Sequence, residues 1–542
     1  LKKREDAWRK LTPVFETTIK IIDKPSTLYE LAAGNYFLID KNRKYLYYCR
    51  LPSSPQDNPK WSPIPGHGPG QNGSGSIIDV GMAVDEHDLV VNSICSEVGN
   101  QADMQRHSLD LVLLKFSTGE YHPLAHHPLI HVHRSPSAQP CITIRIVGDN
   151  LALVVYDQDG SKLFIFDWKT GHKRLEHKST EAAYYYSTPV FISPELLLVP
   201  NRNLCHLEVW HLLPSLPNSN SPVQILSLQI PAVSDNYFIN RIDCDGEPSL
   251  SLHSMSYFPP RPFFPSLEDS IIVVNLMLCS HFLPEVQSVY KLIMHRRALL
   301  DMILKRTLPS LLEEQEGLPT WLTSEVTVHK VADPDDGSVR LAAQSELVST
   351  MPHPGSYPTL ATSATSPTLH ISADSGSSST PSGSASPRSR HDILQVQWAD
   401  WGPPISRWFH VNGTKWWIHQ STGQRYVFLD PDPRDESKFM IGVADFNLYN
   451  VRRNADMMAQ LRGEGEDNGD NGEGKEENDD ELEILDHQGE FSEEVYMGLK
   501  CVVYHTPGEY DFDGVLMDGE RVLGLKIDDE FRVESIKVLY FG

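Results

Sequence analysis

The sequence predicts an all-β, β-propeller-like fold, with about six to eight blades of antiparallel strands and a short N-terminal helix; stacked β-sandwiches are the alternative. Three observations carry this. Short runs of β-branched and aromatic residues alternate with Gly, Pro, Asn and Asp turn signals along most of the 542 residues. Endings that combine apolar residues with Asp or Trp and Thr-Gly recur near 116–119, 166–171 and 209–212, at roughly the 45–50-residue period of a four-stranded blade. Helical periodicity is nearly absent between them.

Composition narrows the class. Hydrophobic residues make up 40% and aromatic residues 9% of the chain, values that fit a folded protein. No apolar run approaches the ~18 residues of a membrane span, so no membrane partner is expected. The net charge is −25, and residues 463–486 hold 12 acids and one Lys, leaving −14 for the rest of the chain. An acidic chain without a basic patch is a poor phosphate ligand, which argues against nucleic acid. Seven dispersed cysteines without a CxxC pair read as reduced thiols, which points to the cytoplasm or nucleus.

In order, residues 1–11 (LKKREDAWRKL) read as a charged helix that docks Trp8, followed by a linker to residue 24. From about residue 25 to 341 the chain reads as the first part of the propeller. LYELAAGNYFLID, YLYYCRLP, SIIDVGMAVDEHDLVVNSI and DLVLLKFSTGEYHPL are strands with tight turns. In the next unit Gly148-Asp149-Asn150 and Gln158-Asp159-Gly160 separate three strands, and Asp167-Trp168-Lys169-Thr170-Gly171 closes a fourth. STPVFISPELLLVPNRNLCHLEVWHL repeats the pattern with Val209-Trp210. SVYKLIMHRRALL reads as strand through His295 and helix after it.

Residues 342–390 form a Ser/Pro/Gly-rich insert that cannot bury enough surface to order itself. It offers Ser366-Pro367, Thr380-Pro381 and Ser386-Pro387 to a proline-directed kinase. Residues 391–460 carry five of the ten tryptophans, Trp398, Trp401, Trp408, Trp416 and Trp417, between turn signals, and read as antiparallel strands continuing the propeller. The acidic stretch 461–490 reads as a disordered loop. Residues 491–542 return to strands, with an Asp518-Gly519 hairpin, and are expected to complete the ring; closure by both termini would remove exposed edges.

Several patterns invite chemistry. Gly68, Gly70 and Gly73 satisfy GxGxxG, but the loop runs into a strand, whereas a dinucleotide site needs a helix there. His122, His126, His127, His131 and His133 crowd one segment. His131 and His133 share a strand face at a spacing that can chelate zinc, yet no Cys or carboxylate lies beside them in sequence. Asp333-Pro334-Asp335-Asp336-Gly337 starts like a calcium loop but lacks the closing Glu and reads as a turn. There is no GxSxG elbow, HExxH or Walker lysine. No catalytic, cofactor or metal residue is assigned, and no cofactor is expected.

Trp398-Ala399-Asp400-Trp401-Gly402-Pro403, then Arg407-Trp408, Gly423-Gln424-Arg425 and Asp445-Phe446-Asn447 resemble the C-terminal signature of the F-box domain-containing proteins of mushroom-forming fungi. The Ala7-Trp8 helix resembles the one that follows the F-box in that family. The resemblance implies a propeller-like domain behind an F-box upstream of Leu1, which would bind a Skp-type adaptor and a cullin. The propeller would then present a target protein to an SCF-type ubiquitin ligase, with catalysis left to other subunits. Trp398, Trp401, Gly402, Pro403 and Arg407 are family-marking and are expected to be structural, the indoles filling a blade interface and Arg407 stacking on one of them. A propeller-scaffold hydrolase or lyase, or a protein-binding scaffold without a ligase, are the alternatives.

Overall fold

The computed structural model describes residues 2–21, 25–70, 73–98, 107–158, 160–178, 186–212, 222–248, 268–283, 287–314, 328–332, 339–343, 393–411, 417–432, 435–462, 482–530 and 532–542. They divide into two units, Leu1–Thr307 with Leu394–Gly542, and Leu308–Ile393. The larger is a seven-bladed β-propeller, within the expected six to eight. In the smaller, Val328–Ala332 pairs antiparallel with Val339–Ala343. The Ser/Thr-Pro sites, the Asp333 turn and Trp416 lie outside the described residues.

Each blade is an antiparallel sheet whose strands follow one another from axis to rim. Blade 1 is Pro25–Ala32, Asn35–Asp40, Tyr45–Arg50 and Trp61–Pro65; blade 2 is Ser76–Ala83, Leu89–Glu97, His107–Lys115 and Leu129–Ser135. Blade 3 comprises Cys141–Val147, Asn150–Asp157, Gly160–Asp167 and His172–Lys178, and blade 4 comprises Val190–Ser193, Leu196–Asn201, His206–His211 and Val223–Gln229. Blade 5 comprises Tyr237–Gly246, Ile271–Ser280, Gln287–His295 and Ser406–Val411. Blade 6 holds Ser421–Thr422, Arg425–Asp432, Asp435–Asp445 and Val502–His505. Blade 7 takes Gly514–Met517, Arg521–Ile527 and Val533–Tyr540 from the C-terminus and Phe15–Lys20 from the N-terminus, paired from Phe15↔Tyr540 to Lys20↔Ser535. Part of the stretch read as a linker is therefore the rim strand of the last blade.

The recurring endings have a local cause. In blade 3 the Asp167 carboxylate accepts the N–H groups of Lys169 (3.0 Å) and Thr170 (3.1 Å), and Gly171 takes a left-handed φ of 74°. An Asx-type turn followed by glycine reverses the chain. The motif thus joins the third strand to the fourth; it does not close a fourth. Trp168, fully buried, donates from Nε1 to the Gly148 carbonyl (2.8 Å). The related endings near 116 and 210 likewise close third strands.

The core lies between neighbouring sheets. Blades 2 and 3 enclose Leu111, Leu113, Ile144, Leu153, Phe164 and Trp168, and similar clusters fill the interfaces of blades 1 and 2, 3 and 4, 5 and 6, 6 and 7, and 7 and 1. Each such side chain contributes roughly 1.5–3 kcal/mol by burial.

Two excursions break the regular spacing. Between the third and fourth strands of blade 5 come the helix Arg296–Glu314, starting where the sequence places it, the smaller unit, and Leu394–Val396, which adds a parallel fifth strand to blade 4. Between the same strands of blade 6 the helix Leu448–Arg462 emerges, capped by Asn447, whose Oδ1 accepts the Tyr449 N–H (3.0 Å). The described end of the acidic stretch is ordered: Glu483–Ile484 pairs with Tyr496–Met497, and Leu485 and Glu490 are buried. No helix among the described residues is long and apolar enough to cross a membrane.

Candidate functional site

Trp398, Trp401, Gly402, Pro403 and Arg407 build a joint at the rim. Trp398–Ile405 is a helix and not the strand its turn signals suggest. Gln397 is extended ahead of it and Asp400 sits in its first turn, where a carboxylate suits the helix dipole. The helix packs against the outer strands of blades 4 and 5. Trp398 meets Trp401 and Trp408 edge-on, at centroid distances of 5.1 and 5.8 Å, and Trp401 Nε1 donates to the Gln229 carbonyl (2.7 Å). Gly402 and Pro403 are buried beside them. Arg407 forks onto Glu483 (3.1 and 2.8 Å) and lies 5.7 Å from the centre of Phe409, so its ring partner is a phenyl and not an indole.

The histidines are separated. His131 Nδ1 bonds Asp110 (2.8 Å), while His133 Nε2 bonds Asp157 of blade 3 (3.2 Å). The carboxylates missing from the local sequence arrive from other strands, one to each ring. His122 is buried edge-on to Trp168 with Nε2 at the His87 carbonyl (2.9 Å), and burial lowers its pKa. Among the described residues no three His, Cys, Asp or Glu side chains are grouped to hold a metal. The seven cysteines are free thiols, four of them buried. Gly68 and Gly70 lie in the loop between blades 1 and 2, and a strand follows.

Two features emerge that no local motif announces. The first is the axial channel. The seven innermost strands surround it, and where they turn into their second strands they enclose a cavity of about 180 Å³. Glu30, Arg145, Asp245 and His419, from blades 1, 3, 5 and 6, line it together. Asp79 of blade 2 is pushed up to about 7 by burial, against the pull of Arg145. Lys291, buried beside Asn275 (2.6 Å) and Gln420 (3.1 Å), is lowered to about 8 by desolvation. His419 pairs with Glu30.

The second is a groove of about 670 Å³ at the opposite, entry end, between blades 4 and 5. Its walls are the turn holding Arg202, Cys205 and His206, the connection through Ala232 and Val233, and Tyr237 and Phe238 at the start of blade 5. Phe238 meets the His281 ring at 4.9 Å, and the next two residues, Phe282 and Leu283, are 76% and 53% exposed. The apolar surface thus continues from the groove onto a projecting turn. A single alternation pattern marks these strands as buried or exposed but does not say which loops meet.

No family model matches this chain, and no curated protein matches it. Among solved structures it is similar to Hsv2 of Kluyveromyces lactis, at 14% identity, covering 51% of this chain and 70% of that one, with a TM-score of 0.27. The β-propeller domain of Cps50 (Swd1) from Myceliophteria thermophila is 12% identical over 48% of this chain and 68% of its own, TM-score 0.26. An oligogalacturonate lyase in complex with manganese is 9% identical over 47% and 61%, TM-score 0.25.

Proposed function

We propose that this chain is a protein-binding propeller and that it forms the target-receiving part of an SCF-type ubiquitin ligase. The observation that carries the binding role is the entry-end groove. Its volume of about 670 Å³ suits an inserted peptide segment, and Tyr, Phe and Arg on its walls are the residue types that concentrate binding energy at protein interfaces. Exposed Phe282 and Leu283 extend the surface, since they continue the apolar wall of Phe238 into one patch of the kind that marks an interaction site. The ligase role rests on the resemblance of the Trp398–Asn447 stretch to the fungal F-box proteins. In that reading an upstream F-box holds the Skp-type adaptor and cullin in the cytoplasm or nucleus, and the propeller holds the target.

The test is co-expression of the complete gene product with a Skp-type adaptor, followed by gel filtration and mass spectrometry of bound proteins. A stable adaptor complex is expected. The double variant Tyr237→Ala, Phe282→Ser should keep the adaptor and lose target proteins. Absence of the complex would remove ubiquitin ligation from the account, while undiminished target capture by the variant would remove the groove.

A further inference from the structure

The segment Ile418–Gln420 leads into the two-residue inner strand of blade 6 and reaches well beyond its own blade. The Ile418 N–H donates to the Tyr29 hydroxyl of blade 1 (3.1 Å) and the His419 N–H to Asp245 Oδ2 of blade 5 (2.9 Å). The His419 carbonyl accepts the Met517 N–H of blade 7 (2.8 Å), and Gln420 Oε1 accepts from Lys291 of blade 5 (3.1 Å). The His419 ring pairs with Glu30 of blade 1. Blade 7 stands between blades 6 and 1, so this pair spans the channel instead of an ordinary interface. His419 also holds a left-handed backbone, φ 58°, a conformation that is strained for a non-glycine residue and persists only where its surroundings enforce it.

We propose that His419 and Glu30 form a proton-operated clasp across the channel, shut while imidazolium faces carboxylate and released when the imidazole is neutral. Shut, it floors the 180 Å³ cavity; released, it frees Ile418–Gln420 to relax from its strained backbone.

The charges around the ring support this. Burial disfavours the imidazolium, Glu30 and Asp245 favour it, and Arg145 opposes them; the balance raises the His419 pKa above 6.5. The same cavity carries Asp85 and Glu86 from blade 2, Glu247 from blade 5 and Asp518 from blade 7, while blade 4 offers apolar Val190 and Phe191. Asp79 lies further along the channel. Asp79, raised to about 7 by burial and coupled to Arg145 and Glu30, loses stability as it ionises and is the competing source of any alkaline loosening, whereas Lys291, lowered to about 8, gains stability as it gives up its proton. For His419 the folded pKa exceeds the unfolded one. The clasp is therefore complete below about 6.5 and is lost as pH rises through the raised value.

Hydrogen exchange on the full chain from pH 5.5 to 9, corrected for intrinsic rates, tests the clasp. Protection of residues 417–423 and 25–32 should fall by about tenfold or more across the alkaline limb, with Asn150–Asp157 of blade 3 unchanged as the reference. His419→Lys keeps a cation at high pH and should hold protection flat; Glu30→Gln should be poorly protected throughout. A flat wild-type profile would overturn the proposal. So would a His419→Lys profile that falls like the wild type, which would assign the loosening to Asp79. Loss of protection at the reference segment flags a variant that has not folded, and the wild-type profile alone then decides.

Discussion

The Arg425 guanidinium lies 5.1 Å from the centre of the Trp8 indole, joining a blade 6 strand to the N-terminal helix. Its Nη2 reaches Glu5 (2.9 Å), its Nε reaches Asp445 (3.4 Å), and Trp8 stacks in turn on Phe541 at 4.3 Å. The helix Lys2–Lys10 is thus a lid over the interface of blades 6 and 7. Trp8→Ala should destabilise the propeller by about 3–5 kcal/mol, read as a lower urea midpoint. An unchanged midpoint would show the helix to be an appendage.

Gly402 has no room for a side chain. A Cβ there would sit 2.1 Å from the Trp398 ring. Gly402→Ala should therefore push Trp398 off Trp401 and Trp408 at a cost of roughly 1–3 kcal/mol. Thermal unfolding with tryptophan fluorescence would register both the lower midpoint and the altered indole environment.

Arg296 is buried where blades 4 and 5 meet. Its guanidinium donates to Ser270 Oγ (2.9 Å), to the carbonyls of Phe191 and Ile192 (the latter 3.2 Å), and to that of Glu247. Burial lowers its pKa to about 10, with Glu247 opposing, so it stays charged at neutral pH. Arg296→Met should strand these acceptors and cost about 3–5 kcal/mol in chemical denaturation.

Much of the propeller was legible because its punctuation is chemical. Gly148 and Asp167 mark turns in sequence for the same reason that they make them in space. The strand-to-helix change after His295 was equally plain. The Trp398–Ile405 helix was not, because Gly402, Pro403 and Pro404 are turn residues in most settings and eight residues give too little periodicity to outweigh them. The blade count was blurred by the excursions between third and fourth strands in blades 5 and 6, which stretch the repeat until its partners no longer look related. The channel was illegible for a different reason. Glu30, Arg145, Asp245 and His419 come from four blades, and each alone reads as an ordinary charge on an alternating strand. His419 carries no sequence signal for its left-handed backbone.

Glu195, in the first turn of blade 4, gives a pH signature. Burial pushes its carboxyl up to about 7, and its Oε2 has no hydrogen bond among the described residues. The folded state then holds a proton that the unfolded state releases near pH 4, so stability falls as pH rises from about 4 to 7. Glu195→Gln should be neutral at pH 4 and stabilising by roughly 1–2 kcal/mol at pH 8, allowing for its partial exposure. Equal effects at both pH values would count against the burial argument.

The rim strand Phe15–Lys20 pairs with Val533–Tyr540, a strand made more than 500 residues after it. At ordinary elongation rates of about 5–20 residues per second, the first strand waits roughly 25 to 100 seconds. Through that interval six blades can assemble while the seventh has one strand and the ring has a gap. The nascent chain is then an open arc with two unpaired sheet faces, and the emergence of Val533–Tyr540 is the event that seals it. A stop codon or a frameshift ahead of Val533 would leave not a slightly shorter propeller but an unclosed one.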